Sequence, residues 1–234
     1  MNPGPPPSAT TSKLLPRHRV GWRAAGLLLL VVICGGLSFI AFGPADSLIQ
    51  LHWRAWTGST EAQLALAWRY REGRGVPQDY AQAADWFERA AAKGSPRAAY
   101  DLAVLGYYGM GRPAQPERAR ALLGRASAQD YAPALAFLGM IESTEGDPAR
   151  GLALLEQAAM KGDPRAAYLA GLAHCAQRSQ GKDQLVLGLR WLERASRAGV
   201  PGAQEITEEI WASVPGEEME HVAEGVYREE ASAP

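Results

Sequence analysis

The feature that most constrains the fold is a short alanine-rich motif that recurs four times at a nearly constant interval. Residues 88–94 read Glu-Arg-Ala-Ala-Ala-Lys-Gly, and residues 156–162 read Glu-Gln-Ala-Ala-Met-Lys-Gly. Related stretches end at Asp130 and Gly199, so the closing positions 94, 130, 162 and 199 are 36, 32 and 37 residues apart. A period of this length is typical of helix-turn-helix solenoids.

Composition agrees with a helical array and excludes several classes of protein. Alanine supplies 42 of the 234 residues, which favours closely packed helices and argues against a β sandwich. Two cysteines are too few for a disulfide scaffold or a cysteine-rich metal site. The formal net charge is -1 and residues 24–203 carry only a small basic excess, so we expect no nucleic-acid partner.

Each unit is predicted to contain two helices with defined starts. First helices are expected to start at Thr60, Pro96, Pro133 and Pro164, and second helices near Asp79, Pro116, Pro148 and Asp183. The pairs Ser95-Pro96, Asp147-Pro148 and Asp163-Pro164 each place a capping side chain before a proline, which needs no amide partner at the first helical position. The closing glycines suit the left-handed residue that follows a helix.

Equivalent positions along the units predict the core. Small residues would let helices approach closely at Ala62, Ala98, Ala134, Ala166 and Ala203. Large residues are predicted to fill the space between layers at Trp86, Leu122, Leu154 and Trp191.

The first unit carries a recognisable set of residues. In order these are Ala62, Leu66, Ala67, Tyr70, Gly73, Arg74, Gly75, Val76, Asp79, Tyr80, Ala83, Trp86, Phe87, Ala90, Ala91 and Gly94. This stretch closely resembles the Sel-1-like repeat, a relative of the tetratricopeptide repeat. The resemblance covers about residues 60–199. It implies an all-α fold, a right-handed α/α solenoid, of the kind that acts as an adaptor in protein complexes. Later copies depart from the pattern in the turn between the two helices.

The solenoid is predicted to occupy residues 60–212, with repeats at about 60–94, 95–130, 131–162 and 163–199 and a capping helix at 200–212. Residues 213–234 are acidic with few apolar side chains, so we expect a flexible tail there, with a helical stretch around 217–228 as an alternative.

The N-terminal part predicts a membrane anchor. No charged residue occurs in residues 24–45, and the apolar residues 24–42 would make about 28 Å of helix, close to the bilayer's hydrocarbon thickness. Four basic residues and no acidic one precede this run, so residues 1–23 are predicted to be a disordered cytoplasmic tail. A cleaved signal peptide is the alternative to an uncleaved anchor.

Residues 46–59 are predicted to be a juxtamembrane linker. Trp53 and Trp56 within it would lie either at the lipid headgroups or against the first repeat.

Motifs for chemistry are scarce, and we expect neither an enzyme nor a bound cofactor or metal. No phosphate-binding glycine loop, zinc-protease helix motif or nucleophile-elbow motif occurs. Adjacent helical residues point about 100° apart, so His174 and Cys175 are interpreted as buried residues rather than a catalytic pair. Five residues are predicted to bind a protein partner: Arg97, Arg165, Trp68, Tyr107 and Tyr108.

These observations predict a single-pass protein of the bacterial inner membrane, with a cytoplasmic N-terminus and a periplasmic repeat domain. Its function would be that of an envelope scaffold, adaptor or regulator that binds other proteins. Two alternatives remain at this point: an exported soluble repeat protein, and an accessory to an envelope polysaccharide or peptidoglycan enzyme.

Overall fold

The computed structural model describes residues 47–227, and these residues form eleven α-helices, one 3-10 turn and no strand. The predicted tail at 1–23 and the predicted span at 24–45 lie outside the described residues. Within residues 47–227, no helix combines the length and the apolar character needed to cross a bilayer. The α-helices are α1 Leu48–Trp56, α2 Thr60–Glu72, α3 Tyr80–Ala92, α4 Pro96–Tyr108, α5 Pro116–Ser127, α6 Ala132–Glu145, α7 Pro148–Met160, α8 Pro164–Ala176, α9 Lys182–Arg197, α10 Ala203–Ala212 and α11 Gly216–Tyr227.

The chain divides into two compact units, residues 1–53 and residues 54–234. The described part of the first unit is the start of α1, where Ile49 and Trp53 are exposed. The linker predicted at 46–59 is therefore helical over Leu48–Trp56. In the second unit Trp56 is exposed as well.

Four antiparallel helix pairs, α2–α3, α4–α5, α6–α7 and α8–α9, form the second unit's solenoid, and each second helix also packs against the next first helix. The predicted starts agree to within one residue, since α6 begins at Ala132 and α9 at Lys182. Ser59, Ser95 and Asp163 cap three of the first helices through their side chains. These caps satisfy amides that have no partner inside the helix.

The closing positions take the predicted left-handed conformation. Their φ angles are 88° at Gly94, 61° at Asp130, 92° at Gly162 and 75° at Gly199. Asp130 is the only residue other than glycine with a positive φ among those described. The second repeat, which closes with Asp130 instead of glycine, thus keeps the turn geometry of the other repeats. It does so at the steric cost of placing a side chain in the left-handed region.

The five predicted alanine positions are buried, but the predicted row of large core residues is one position out. Trp86, Leu122, Leu154 and Trp191 are only half-buried. The residues that follow them fill the core instead: Phe87, Leu123, Leu155 and Leu192. Neighbouring helical residues differ by about 100° in direction, and both positions are apolar, so the sequence does not distinguish them.

Residues 216–227 form α11 against α9, in agreement with the helical stretch considered around 217–228, so the expected flexible tail does not hold for these residues. Val222 and Val226 are buried in the last hydrophobic cluster. The Arg190 guanidinium donates to the Gly225 carbonyl oxygen at 2.6 and 3.0 Å. Val222 and Val226 lie four residues apart and therefore on one face of this acidic helix.

Candidate partner-binding groove

The first helices of repeats two to four share one groove. It encloses about 510 Å³ and runs along α4, α6 and the start of α8. Its walls are mainly apolar and aromatic, as in most ligand-binding clefts. The lining residues are Tyr100, Val104, Tyr108, Pro133, Ala136, Phe137, Met140, Asp163, Pro164, Arg165 and Leu169.

An aromatic cluster builds the centre of the groove. Tyr107 and Tyr108 follow Tyr100 by seven and eight residues along α4, a spacing that puts both on the same side of the helix as Tyr100. The Phe137 ring of α6 contacts all three, with centroids 6.3, 5.4 and 6.0 Å away. Tyr131 meets Tyr100 edge-on at 5.7 Å. Contacts of this kind fix the rings, so the surface is formed before any partner arrives.

A buried carboxylate supports one side of this face. Asp101 is 6% exposed and accepts from the Trp68 indole N–H at 2.9 Å and from the Arg71 guanidinium at 2.8 Å. Burial raises the pKa of Asp101, and the Trp68 and Arg71 contacts oppose that rise because they favour the charged form. These contacts connect α2 to α4 and hold the Trp68 ring in place.

Two of the predicted binding residues meet beside Asp101. The Arg97 guanidinium lies 3.6 Å from the centre of the Trp68 ring, within the range of a cation–π contact. Trp68 also lines a second hollow of about 530 Å³ on α2. The pair therefore adjoins the aromatic cluster without being one of the groove's lining residues.

The other predicted residues lie in or next to the groove. Tyr108 is 55% exposed on its wall, and Arg165 lies at the start of α8. No carboxylate of the described residues is within ion-pair distance of Arg165. Tyr107 instead donates its hydroxyl to Glu145, which also pairs with Arg120 at 2.7 Å. That hydrogen bond raises the pKa of the Tyr107 phenol.

Sequence reasoning missed Tyr100, Asp101, Tyr131 and Phe137. Tyr100 had a usable signal, because Tyr168 follows the same Pro-Arg-Ala-Ala stretch in the fourth repeat. Phe137 and Tyr131 have no such recurrence. Asp101 had no signal at all, since an acidic residue at a buried position contradicts composition-based expectation.

His174 and Cys175 are buried, as interpreted from the sequence, and the contacts of His174 are structural. His174 is 4% exposed, with Nδ1 2.7 Å from Gln184 Oε1 and Nε2 2.6 Å from Glu156 Oε1. Burial raises the pKa of the Cys175 thiol to about 11. The thiol is thus overwhelmingly protonated at neutral pH, and neither ring nitrogen of His174 is hydrogen-bonded to it. No group of three His, Cys, Asp or Glu side chains in residues 47–227 is arranged to hold a metal ion.

Comparisons with solved structures agree with the architecture. A protective antigen present in uropathogenic Escherichia coli strains, which displays an SLR fold, superposes with a TM-score of 0.65 at 20% identity. The match covers 81% of this chain and 42% of the antigen, so the chain spans less than half of that protein's length. A Sel1 repeat protein from Oxalobacter formigenes gives a TM-score of 0.63 at 22% identity, covering 90% of this chain and 91% of that one.

Sequence comparison identifies the same units. A search of curated protein sequences finds no match. The model of the Sel1 repeat matches residues 60–95, 96–131, 132–163 and 164–200, the stretches that contain the four helix pairs. These four matches cover more than half of the 234 residues, and the chain therefore belongs to the Sel1 repeat family.

Proposed function

We propose that this protein is a membrane-anchored scaffold of the bacterial envelope, and that it binds its protein partner in the groove of α4, α6 and α8. Sel1 repeats generally mediate protein–protein interactions. The observation that carries the proposal is the aromatic wall itself. Aromatic side chains fixed in a concave surface are the residues that most often dominate binding energy at interfaces.

The shape of the groove favours a protein segment over a small molecule. It is open along three consecutive first helices, and its apolar lining is interrupted by Asp163 and Arg165 at one end. The carboxylate of Asp163 is engaged in capping α8, where it accepts from the amides of Arg165 and Ala166 at 2.9 Å each. Arg165 is thus the charged side chain of the groove that can still bind a partner, and the other lining residues provide mainly apolar contact.

A photo-crosslinking experiment tests the groove. A benzoylphenylalanine in place of Tyr108 lies on the groove wall, whereas the same residue in place of Met160, which is 63% exposed on the second helix α7, provides the matched control. We expect irradiation of intact cells to give a discrete protein adduct from position 108 and none from position 160. Equal adducts from both positions, or an adduct from 160 alone, would contradict the proposal.

The anchor and its orientation rest on the uncharged residues 24–45 and on the four basic residues before them. A C-terminal reporter that is active only outside the cytoplasm should be active, and sequencing of the mature N-terminus should find residues 1–45 retained. A silent reporter would reverse the orientation. A mature protein that starts after residue 34 would favour the exported soluble alternative.

A further inference from the structure

Two arginines without a carboxylate partner indicate the chemistry of the groove's binding partner. Arg97 and Arg165 occupy equivalent positions at the starts of α4 and α8, and α6 lies between these helices with Pro133 at the same position. Both arginine side chains are exposed. Within residues 47–227 neither forms an ion pair with a carboxylate, and the Arg97 guanidinium lies over the Trp68 ring.

The Arg97 guanidinium is positioned so that it can bind an anion. Its guanidinium carbon lies 3.6 Å from the centre of the Trp68 ring, and the indole N–H of that ring donates to Asp101. A stacked guanidinium keeps its N–H donors at its edge, where they can still bind a carboxylate. The charge of Asp101 is already opposed by Arg71, so it cancels Arg97 only in part.

Two tyrosine hydroxyls add hydrogen-bond donors to the surface that carries the two arginines. Tyr131 and Tyr100 pack edge to face, and their hydroxyls have no hydrogen-bond partner among the described residues. Burial, and then the charge of Asp101, raise the pKa of each phenol. Both hydroxyls therefore remain protonated at neutral pH and can donate. Tyr100 lines the groove together with Arg165.

Arg97 and Arg165 are the cations of this surface that form no ion pair with a carboxylate among residues 47–227. The neighbouring cation Arg71 is paired with both Asp101 and Glu72. The neighbouring carboxylates are engaged as well, because Asp101 and Glu72 accept from Arg71 and Asp163 caps α8. A partner with negative charge would meet unpaired guanidinium donors and no unpaired acceptor.

From this arrangement we infer that the groove, together with the adjoining Arg97, binds an extended acidic segment of a partner protein, with carboxylates on either side of a short apolar stretch. Arg97 and Arg165 each take one carboxylate, and the Tyr108 and Phe137 surface takes the apolar side chains. The inference rests on the proposed function, because it names the chemistry of the partner at the same groove.

A peptide selection tests this chemistry without knowledge of the partner. The full-length protein in detergent micelles is presented with a display library of random twelve-residue peptides, and the enriched peptides are synthesised with a fluorescent label. We expect the enriched sequences to contain Asp or Glu on both sides of Leu, Phe, Tyr or Trp. Their affinity should fall as salt rises, since exposed charges are screened.

Two double variants with the same change in net charge separate a local contact from bulk attraction. Arg97→Gln with Arg165→Gln removes the cation beside the groove and the cation that lines it, whereas Arg125→Gln with Arg150→Gln removes exposed arginines of the second helices α5 and α7. The first double variant should weaken binding by about tenfold or more, the effect of losing charge-assisted hydrogen bonds. The second should change it less than twofold. Thermal melting followed by circular dichroism verifies that both variants are folded.

Each other outcome has a defined reading. Three outcomes would overturn the acidic-segment inference: no peptide is enriched, the enriched peptides lack Asp and Glu, or the two double variants weaken binding equally. The proposed function would then still be tested separately by the Tyr108 crosslink. Peptides that bind equally well after Tyr108→Ala and Phe137→Ala would overturn both proposals. Tighter peptide binding after deletion of residues 228–234, which include Glu229 and Glu230, would identify the chain's own tail as the occupant and overturn a partner segment.

Discussion

Repeats one and two differ from repeats three and four in how closely their paired helices approach. At one equivalent position of the second helix the first two repeats have Ala83 and Ala119, and the last two have Gly151 and Gly188. A Cβ atom added at Gly151 would lie 2.5 Å from the Ser143 amide nitrogen and 2.8 Å from the Gly139 carbonyl oxygen. One position thus sets two helix spacings within a single fold.

The two halves also tie their helices together with different buried polar groups. In the first half Asp101 of α4 joins the Trp68 and Arg71 side chains of α2. In the second half His174 of α8 joins Glu156 of α7 and Gln184 of α9. Close backbone contact and a histidine tie characterise one half, while side-chain packing and a carboxylate tie characterise the other.

The largest effect is expected where the backbone contact is closest. Gly151→Ala and Gly188→Ala should each lower the free energy of unfolding by about 1–3 kcal/mol, because a methyl group is forced against the facing backbone. At Gly188 the facing atoms are those of Cys175, whose amide nitrogen would be 2.9 Å from the new Cβ. Denaturant titration followed by circular dichroism measures the change.

A third helical glycine is the control for this prediction. Nothing lies within 4 Å of a Cβ built at Gly124 of α5, so Gly124→Ala should stabilise the protein by about 0.5–1 kcal/mol through helix propensity alone. If Gly151→Ala and Gly188→Ala stabilise the protein as Gly124→Ala does, the two helix pairs are not in close contact and the comparison between the halves fails.

An intermediate effect is expected at the carboxylate tie. Asp101→Asn keeps one acceptor oxygen, for Trp68, and replaces the oxygen that Arg71 binds with an NH2 group, which should cost about 1 kcal/mol at neutral pH. The native pKa of Asp101 is raised above 3.8, so between 3.8 and that raised value the folded protein holds a proton that the unfolded chain has released. The contribution of Asp101 to stability is therefore fully present below pH 3.8 and declines as pH rises through this window.

The asparagine variant lacks that proton, so its stability relative to wild type should improve as pH rises across the window. Denaturant midpoints of the two proteins measured from pH 3.5 to 7 provide the test. A difference that stays constant over this range, or that changes in favour of wild type as pH rises, would show that Asp101 is not a buried carboxyl with a raised pKa.

The smallest effect separates two arginines that the repeat makes equivalent. Arg97→Gln removes a contact with the Trp68 ring and should cost about 0.5–1 kcal/mol, whereas Arg165→Gln should stay within about 0.5 kcal/mol of wild type. Melting temperatures of the two single variants measure this difference. Equal melting temperatures would mean that the Trp68 contact contributes nothing to stability.

The period of the sequence predicted most of the solenoid because helix starts and closing residues depend on local backbone chemistry. Ser95, Pro96 and Gly94 act within one turn of the chain, so their roles can be read without knowing what packs around them. The predicted core position at Trp86 was wrong because Trp86 and Phe87 are both apolar and adjacent in sequence. Only the way the helices cross determines that Phe87 is the one buried.

Sequence predicted less of the groove because its surface is made by contacts between repeats. The residue types of Trp68, Arg97 and Arg165 were informative, but no sequence rule pairs Arg97 with Trp68 across 29 positions. Phe137 belongs to the groove only because α6 lies between α4 and α8. The burial of Asp101 depends likewise on Trp68 and Arg71 of the preceding repeat.

Helix α11 has a consequence for the length of the array. In each of the four repeats the second helix pairs with the first helix of the same repeat, but α11 instead lies against α9. Gly225 permits this close approach, because a Cβ there would lie 2.8 Å from a methyl carbon of Val186. A solenoid with a bare apolar end can be extended by another unit or by another molecule. Here Val222 and Val226 of α11 cover apolar side chains of α9, so that surface is not available to a further unit.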